Sequence, residues 1–456
     1  MVTMGSEKVK NVIHETAAVS VIALVCLYVR LFISSTQDYY MNIDTFAFLD
    51  HIRSGTGGFE FTNYIGHLIG IDKFLILLIC ITVATSILIY FTCRIYKADV
   101  FSSFIAGLFF SFSPLIFFNN QFGIIDKNIP TLFMVVLGIF IVGGFKNYIR
   151  MIVLIPYFIL FGFVWEGSIA FLLLIAFYYF IKMLMNNNVV GVIISCLIAS
   201  VGFYLSWHEF KTLTNPTDWA LISELNPIWN VGVFAEYLLI IIIWVLVFTK
   251  IRLEKKDKEK INNYLFLYLG FIITFFAMCF IFRLNIFFTP FLYIWMSIIL
   301  TDLEYKKSIK ILVLILLAGF IIGTSMSIYF RQPVMNDGLK EALDYVNTMP
   351  NKCLIGVWSK GHIYNYYTDK EIKYQATAGQ YKEQIAYMVK GQETDCVIIW
   401  DDVDLLALEY MVKYGNKIKD PLLVGLQEEP DTYYISKNIN KARAFEYYNN
   451  TYYVMG

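Results

Sequence analysis

The chain has 456 residues, of which 58% are hydrophobic, 18% aromatic and 16% charged, and its mean hydropathy is +0.60. Soluble domains carry about 25% charged residues, so this composition excludes an ordinary water-soluble enzyme. The 36 basic and 36 acidic residues balance to zero net charge, and no basic tail or stripe offers a surface for nucleic acid.

Charge is unevenly spread along the chain. Residues 1–330 hold 22 basic and 19 acidic side chains, whereas 331–456 hold 14 and 17 in little more than a third of that length. The sequence therefore divides into a membrane domain, 1–330, and a water-facing domain, 331–456, of ordinary domain size. No cleavable signal peptide is expected, because the first apolar stretch continues as a spanning segment without a small-residue cleavage pattern.

Apolar runs long enough to cross a hydrocarbon core of about 30 Å recur through the first domain. They begin near Thr16, Phe74, Phe101, Ile129, Ile149, Gly167, Val189, Val233, Tyr264, Asn285 and Ile311, which makes eleven. With the N-terminus inside, sixteen Lys and Arg residues flank the inner side, including Arg94, Lys97, Arg150, Lys182 and the cluster 250–260. Six lie outside: Arg30, Arg53, Lys73, Lys127, Lys211 and Arg283. Positive charge is retained in the cytoplasm during insertion, so the N-terminus is expected to be cytoplasmic and the polar C-terminal domain extracytoplasmic.

That domain alternates pattern. Residues 336–349 read as a helix, 352–358 and 395–400 as strands, and 380–389 and 403–414 again as helices, which predicts a small α/β layer structure. Of seven cysteines, five lie in apolar runs and read as packing residues. Cys353 and Cys396 fall in the two strand-like runs. Whether they pair or stay free depends on Cβ positions that sequence does not fix.

The outer loops carry acids at the ends of apolar runs, where a carboxylate must be hydrated, paired or bound to a cation. Asp44 lies in the first outer loop, in NIDTF. Asp126 lies in the second, in FGIIDKNIPT, two residues before Asn128, and Glu224 lies in the long loop 207–231, in LISELNP. Oxygen ligands brought from several loops suit a hard divalent cation such as Mg²⁺ or Mn²⁺. Any one of these acids also reads as plain solvated charge, and Asp38, Asp50, Asp72, Glu209 and Asp218 share their side. Arg283, between two apolar spans in CFIFRLNIFFTP, is either paired with an acid or held ready for an anionic group such as phosphate. Glu166 in the Trp165–Gly167 turn reads as a helix cap. His362 has no second histidine nearby, so a packed or surface role is open beside a functional one.

Taken in order, these segments resemble the catalytic subunit of oligosaccharyltransferase, a membrane glycosyltransferase of the GT-C superfamily. Asp44 in NIDTF is similar to the family's aspartate after the first span. Gly123-Ile124-Ile125-Asp126 followed by Asn128 is similar to its Gly-x-x-Asp loop with a second ligand two residues on. LISELNP resembles its Thr-Ile-x-Glu loop, and Arg283-Leu284 with Pro290 resembles its late arginine motif. After the last span, the family carries Trp-Trp-Asp-Tyr-Gly and an aromatic-rich helix. Here Val357-Trp358-Ser359-Lys360-Gly361-His362 is followed by Ile363-Tyr364-Asn365-Tyr366-Tyr367.

The resemblance implies a fold and an activity. The fold would be an α-helical polytopic membrane domain of GT-C type, with about 11 to 13 spans, followed by a small α/β extracytoplasmic domain. The activity would be an inverting, metal-dependent transfer of a glycan from a polyprenyl phosphate or diphosphate carrier to an acceptor, protein asparagine in the first instance, on the outer face. Asp44, Asp126, Asn128 and Glu224 would hold Mn²⁺ or Mg²⁺. Asp44, Asp126, Glu224 and Arg283 would be catalytic, Arg283 also binding the donor phosphate. Trp358, Ser359, Gly361 and His362 would line the acceptor site. The partners implied are a polyprenyl-linked glycan, an acceptor polypeptide or else a glycan or lipid, and membrane lipids.

The sequence departs from the family at Asn128, which stands for an acid or histidine, and at Val357 and Ser359, which stand in the Trp-Trp-Asp core. Three other readings stay open, two of them from these departures and the third because Asp44, Asp126 and Arg283 would also suit a substrate path. One is a GT-C transferase moving a single sugar to a glycan or lipid; the others are a non-catalytic relative and a transporter of lipid-linked glycans.

Overall fold

A computed structural model describes residues 2–34, 48–49, 52, 61–113, 128–145, 147–165, 168–186, 240–241, 243–250, 258–280, 285–302, 311, 314–315, 318–319, 322, 337–356, 361–372, 396–401, 443–447 and 450–455. They fall into two compact units. The first takes the described residues within Met1–Thr36, Gly58–Phe122 and Asp126–Arg331; the second takes those within Gln37–Gly57, Gly123–Ile125 and Gln332–Gly456.

The first unit is helical. Its elements are α1 (Val2–Ser34), α2 (Phe61–Ile69), α3 (Ile71–Ile95), α4 (Val100–Ser111), α5 (Asn128–Gly144), α6 (Asn147–Val164), α7 (Ser168–Met185), α8 (Lys258–Phe280) and α9 (Asn285–Asp302). Residues 240–250, apart from 242, are also helical. Four stretches are long and apolar enough to cross a membrane, namely Asn11–Tyr28, Ile71–Ile95, Ser168–Met185 and Asn285–Asp302. Four shorter apolar helices accompany them, at Val100–Ser111, Asn128–Gly144, Ile152–Val164 and Asn263–Cys279. The span expected at Val189 lies outside the described residues, as does the start of that at Val233. The last, at Ile311, is described as helix at 311, 314–315, 318–319 and 322.

Hydroxyls inside these helices mostly return to their own backbone. Thr82, Thr85, Thr92 and Thr274 donate to the carbonyls of Leu78, Ile81, Leu88 and Gly270. In an apolar surrounding that is how a polar side chain avoids an unmade hydrogen bond. Where two helices touch, small residues let them approach: the Ser111 hydroxyl of α4 donates to Ser86 of α3, and Cys26 of α1 donates to Ser111 at 3.0 Å. Large rings fill the space around α9, where Trp295 is buried and donates its indole N–H to Leu267 of α8 at 3.1 Å.

Polar chemistry sets the turn between α3 and α4. Lys97 adopts a left-handed φ of 67°, its N–H donates to Arg94, and the next N–H, of Ala98, reaches back to Cys93. Asp99 then caps α4 through its carboxylate, which accepts from the Ser102 N–H at 2.8 Å.

The second unit holds a five-stranded sheet. In chain order come α10 (Asp337–Thr348), β1 (Cys353–Gly356), α11 (Gly361–Tyr367), β2 (Glu371–Ile372), β3 (Cys396–Asp401), β4 (Arg443–Tyr447) and β5 (Asn450–Met455), with sheet order β2-β1-β3-β5-β4. β1 runs parallel to β2 and β3, while β5 runs antiparallel to β3 and β4. Helix α10 is amphipathic: Leu339, Ala342, Leu343 and Val346 are buried at helical spacing, and the helix packs on β4 and β5. Leu49 and Ile52, also counted in this unit, are buried. The helices expected at 380–389 and 403–414 lie outside the described residues.

Cys353 and Cys396 form a disulfide, and they are register partners on parallel β1 and β3 with Cα atoms 4.4 Å apart. The bridge closes a loop of 43 residues, a constraint worth about 4 kcal/mol on the chain-entropy account. Replacing both cysteines by serine is expected to lower the stability of the second unit by about 2 to 4 kcal/mol. Urea unfolding followed by near-ultraviolet circular dichroism reads this directly, and an unchanged midpoint would show that the bridge adds nothing.

Candidate functional site

Contacts between helix ends fix which connections leave the first unit from the same end. At the C-terminal end of α1, the fully buried guanidinium of Arg30 donates to the Ser111 carbonyl at the end of α4, at 2.7 Å. The same group lies 5.7 Å from the centroid of Phe112. Helix α4 runs antiparallel to α9, since the Asp99 N–H at its start donates to Thr301 near the end of α9. At the start of α9, Phe287 stacks on Trp165, which follows α6, with ring centroids 5.6 Å apart. Tyr157 of α6 donates to Met134 of α5, which brings the end of α6 toward the beginning of α5.

One end of the helical unit thus collects the C-terminal ends of α1, α4 and α6 and the N-terminal ends of α5, α7 and α9. From these ends leave the segments that hold Asp44, after Ser34; Asp126, between Ser113 and Asn128; Glu166, after Trp165; and Arg283, between Phe280 and Asn285. The opposite end is marked by the Glu15–Arg94 ion pair at 2.9 Å and the Lys250–Asp302 pair.

Of the candidate residues themselves, Asn128 is the first residue of α5, and Gly361 and His362 open α11. Asp44, Asp126, Glu224, Arg283, Trp358 and Ser359 lie outside the described residues. Among the described residues no group of three His, Cys, Asp or Glu side chains is placed to hold a metal. As a donor set, three carboxylates and a carboxamide supply only oxygen, which fits Mg²⁺ or Mn²⁺ better than a softer ion.

In the sequence Arg30 reads only as an outer flanking charge. Its burial inside the helix cluster was foreshadowed by its place within an apolar run, YVRLFIS, where a cation needs partners rather than solvent. The Trp165–Phe287 stack was not anticipated, because aromatic residues are abundant throughout and no spacing distinguishes this pair.

The described elements make this a helical protein with segments long and apolar enough to cross a membrane and a small mixed sheet. No family model and no curated protein matches the sequence. Among solved structures the chain is similar to the archaeal oligosaccharyltransferase AglB from Archaeoglobus fulgidus in complex with an inhibitory peptide and a dolichol-phosphate. The TM-score is 0.65 at 10% identity, covering 85% of this chain and 69% of that one. The A. fulgidus oligosaccharyltransferase tethered with an acceptor peptide containing the NVT sequon gives a TM-score of 0.63, at 10% identity and with the same coverage. Its complex with Zn and sulfate gives 0.59 at 12% identity, covering 84% of this chain and 68% of that one. The chain therefore has an oligosaccharyltransferase-like fold.

Proposed function

We propose that this protein is a membrane glycosyltransferase that transfers a glycan from a polyprenyl phosphate or diphosphate to an acceptor on the extracytoplasmic face. The observation that carries the reading is the oligosaccharyltransferase-like fold over 85% of the chain. The helix ends that flank Asp44, Asp126 and Arg283 in sequence gather at one end of the helical unit, as a shared site requires. The disulfide between Cys353 and Cys396 favours an oxidising compartment for the C-terminal domain, residues 331–456. The neighbours' complexes with dolichol-phosphate, acceptor peptide and Zn are consistent with a lipid-linked donor, a peptide acceptor and a divalent ion.

In this reading Asp44, Asp126 and Glu224, with Asn128, would hold Mn²⁺ or Mg²⁺, which would supply Lewis-acid stabilisation of the leaving phosphate. Arg283 adds a fixed positive charge at the same oxygens. The bond between the sugar C1 and the carrier phosphate breaks as the acceptor nitrogen bonds C1 from the opposite face, inverting the configuration. Asp44 and Glu224 orient the acceptor amide and accept its proton. Trp358, Ser359, Gly361 and His362 border the acceptor pocket.

Mass spectrometry of cell-surface proteins and lipid-linked glycans, with and without the protein, tests this function. Loss of a glycan from asparagine together with accumulation of its lipid-linked form is the expected result, and no change in either would refute it. A second reading, transfer of a single sugar to a glycan or lipid, is favoured by Val357 and Ser359 in the acceptor segment. A panel of Asn-containing peptides with Ser, Thr, Ala or Val two residues downstream separates the two, since only the first reading predicts any modified peptide.

The orientation has its own test. Cysteines introduced as Asn215→Cys and Gln380→Cys should react with a membrane-impermeant maleimide in intact cells, and Asp257→Cys should not. Reaction at position 257 would invert the topology and remove the shared outer face.

A further inference from the structure

At the end of the helical unit opposite the candidate site, a cavity of about 390 Å³ opens among α3, α5, α6, α7, α8, α9 and the helical segment at 240–250. Among the described residues four cations line it, Lys97, Arg150, Lys182 and Lys250, with one acid, Asp302. Lys250 is paired with Asp302 and lies 5.4 Å over the ring of Tyr264, so the acid is already engaged. Among the described residues that leaves three positive groups around the space. Arg150 donates from Nε to the Phe145 carbonyl at 2.8 Å, and Lys182 donates to the Tyr178 hydroxyl at 3.2 Å. Neither contact is with a carboxylate, so neither neutralises the charge.

Cations at helix ends often do no more than offset terminal carbonyls. Arg150 does so for the end of α5. Lys97 and Lys182 make no such contact among the described residues, and four cations from four different segments converge on one concavity. Lys97 takes part from the left-handed position, φ 67°, that ends α3 and turns the chain toward α4. The three tyrosines in the lining, Tyr96, Tyr178 and Tyr264, join polar tips to apolar bodies, as groups at a membrane interface do.

We propose that this cavity binds the phosphate diester headgroup of an anionic phospholipid in the leaflet at that end of the helices. Arg150 also donates from Nη2 to the Phe145 carbonyl, and its remaining N–H groups at the outer end of the guanidinium, with two ammonium groups, match the oxygens of a phosphate diester. Basic pockets between membrane helices on the positively charged side are the setting in which such headgroups are held. The lipid source is favoured over a free anion because the cavity lies among ends of apolar helices, where acyl chains continue along the exposed faces. Ile149, Ile152 and Ile155 of α6 and Phe248 of the segment at 240–250 are exposed large apolar side chains of that kind. This assignment is independent of the transferase reading.

The test uses the full chain in neutral detergent, titrated with a fluorescent phosphatidylglycerol, with unlabelled phosphatidylglycerol, phosphatidylcholine and inorganic phosphate as competitors. Unlabelled phosphatidylglycerol should displace the probe, whereas phosphatidylcholine should not. The pair Arg150→Gln with Lys182→Gln should weaken probe binding at least tenfold. Lys97→Asn removes a charge while keeping a residue that tolerates left-handed φ, and should weaken binding severalfold with an unchanged melting temperature. Lys340→Gln in α10 serves as the control and should have no effect. Equal binding by wild type and Lys97→Asn overturns the proposal even if the double variant fails to fold. Displacement by millimolar inorganic phosphate as effective as that by the lipid would also overturn it, assigning the site to a free anion.

Discussion

Asp126→Ala and Glu224→Ala are each expected to reduce glycan transfer on the order of a hundredfold or more, with the protein still folded in detergent. The reason is electrostatic. If carboxylates hold a divalent ion against the leaving phosphate, deleting one removes both a ligand and its positioning, and comparable losses of preorganised charge cost about 10²–10³ in rate. The measurement is transfer from a purified lipid-linked donor, with and without chelator, alongside gel filtration of each variant. Full activity of either variant, or of the wild type in chelator, would remove the metal assignment while leaving the fold unaffected.

Arg283→Lys should lower kcat/KM with a lipid-linked donor about tenfold or more, and Arg331→Lys should leave it unchanged. Lysine retains the charge but loses the planar pair of donors that matches phosphate oxygens. A loss in kcat at unchanged KM would place the interaction in the transition state, whereas equal small effects at both positions would favour a structural ion pair for Arg283.

Much of the architecture was legible in the sequence because burial in lipid imposes long apolar runs. The helices over Ile71–Ile95, Asn128–Gly144 and Asn285–Asp302 begin within a few residues of where hydropathy places them. Helix α10 was legible for the complementary reason, its apolar residues recurring at helical spacing in a polar region. Two things were not legible. α2 is short, and an amphipathic stretch of nine residues before a long span merges with it in any hydropathy reading. The β4–β5 hairpin was also missed. Its strands meet through the pair Tyr447–Asn450, and Tyr448 with Asn449 between them is a weak turn signal beside Asn-Gly.

The candidate site was read from collinear short motifs, each too brief to be specific. The structure adds what spacing does not contain, namely which helix ends lie together. The pairing of Cys353 with Cys396 is another instance, since it needed strand register, a property of two segments 43 residues apart.

Arg30 has a consequence for the time course of synthesis. Its partners include the Cys26 carbonyl one turn earlier and the Ser111 carbonyl 81 residues later. At ~5–20 residues per second, the ribosome needs ~4–16 s to make the second partner after the first helix has emerged. During that interval the guanidinium lacks its Ser111 contact, and from its place just beyond the apolar span Asn11–Tyr28 it can reach the hydrated interface. The tie between the end of α1 and the end of α4 therefore forms only after α4 has been made, so the first helix to be synthesised gains this contact late.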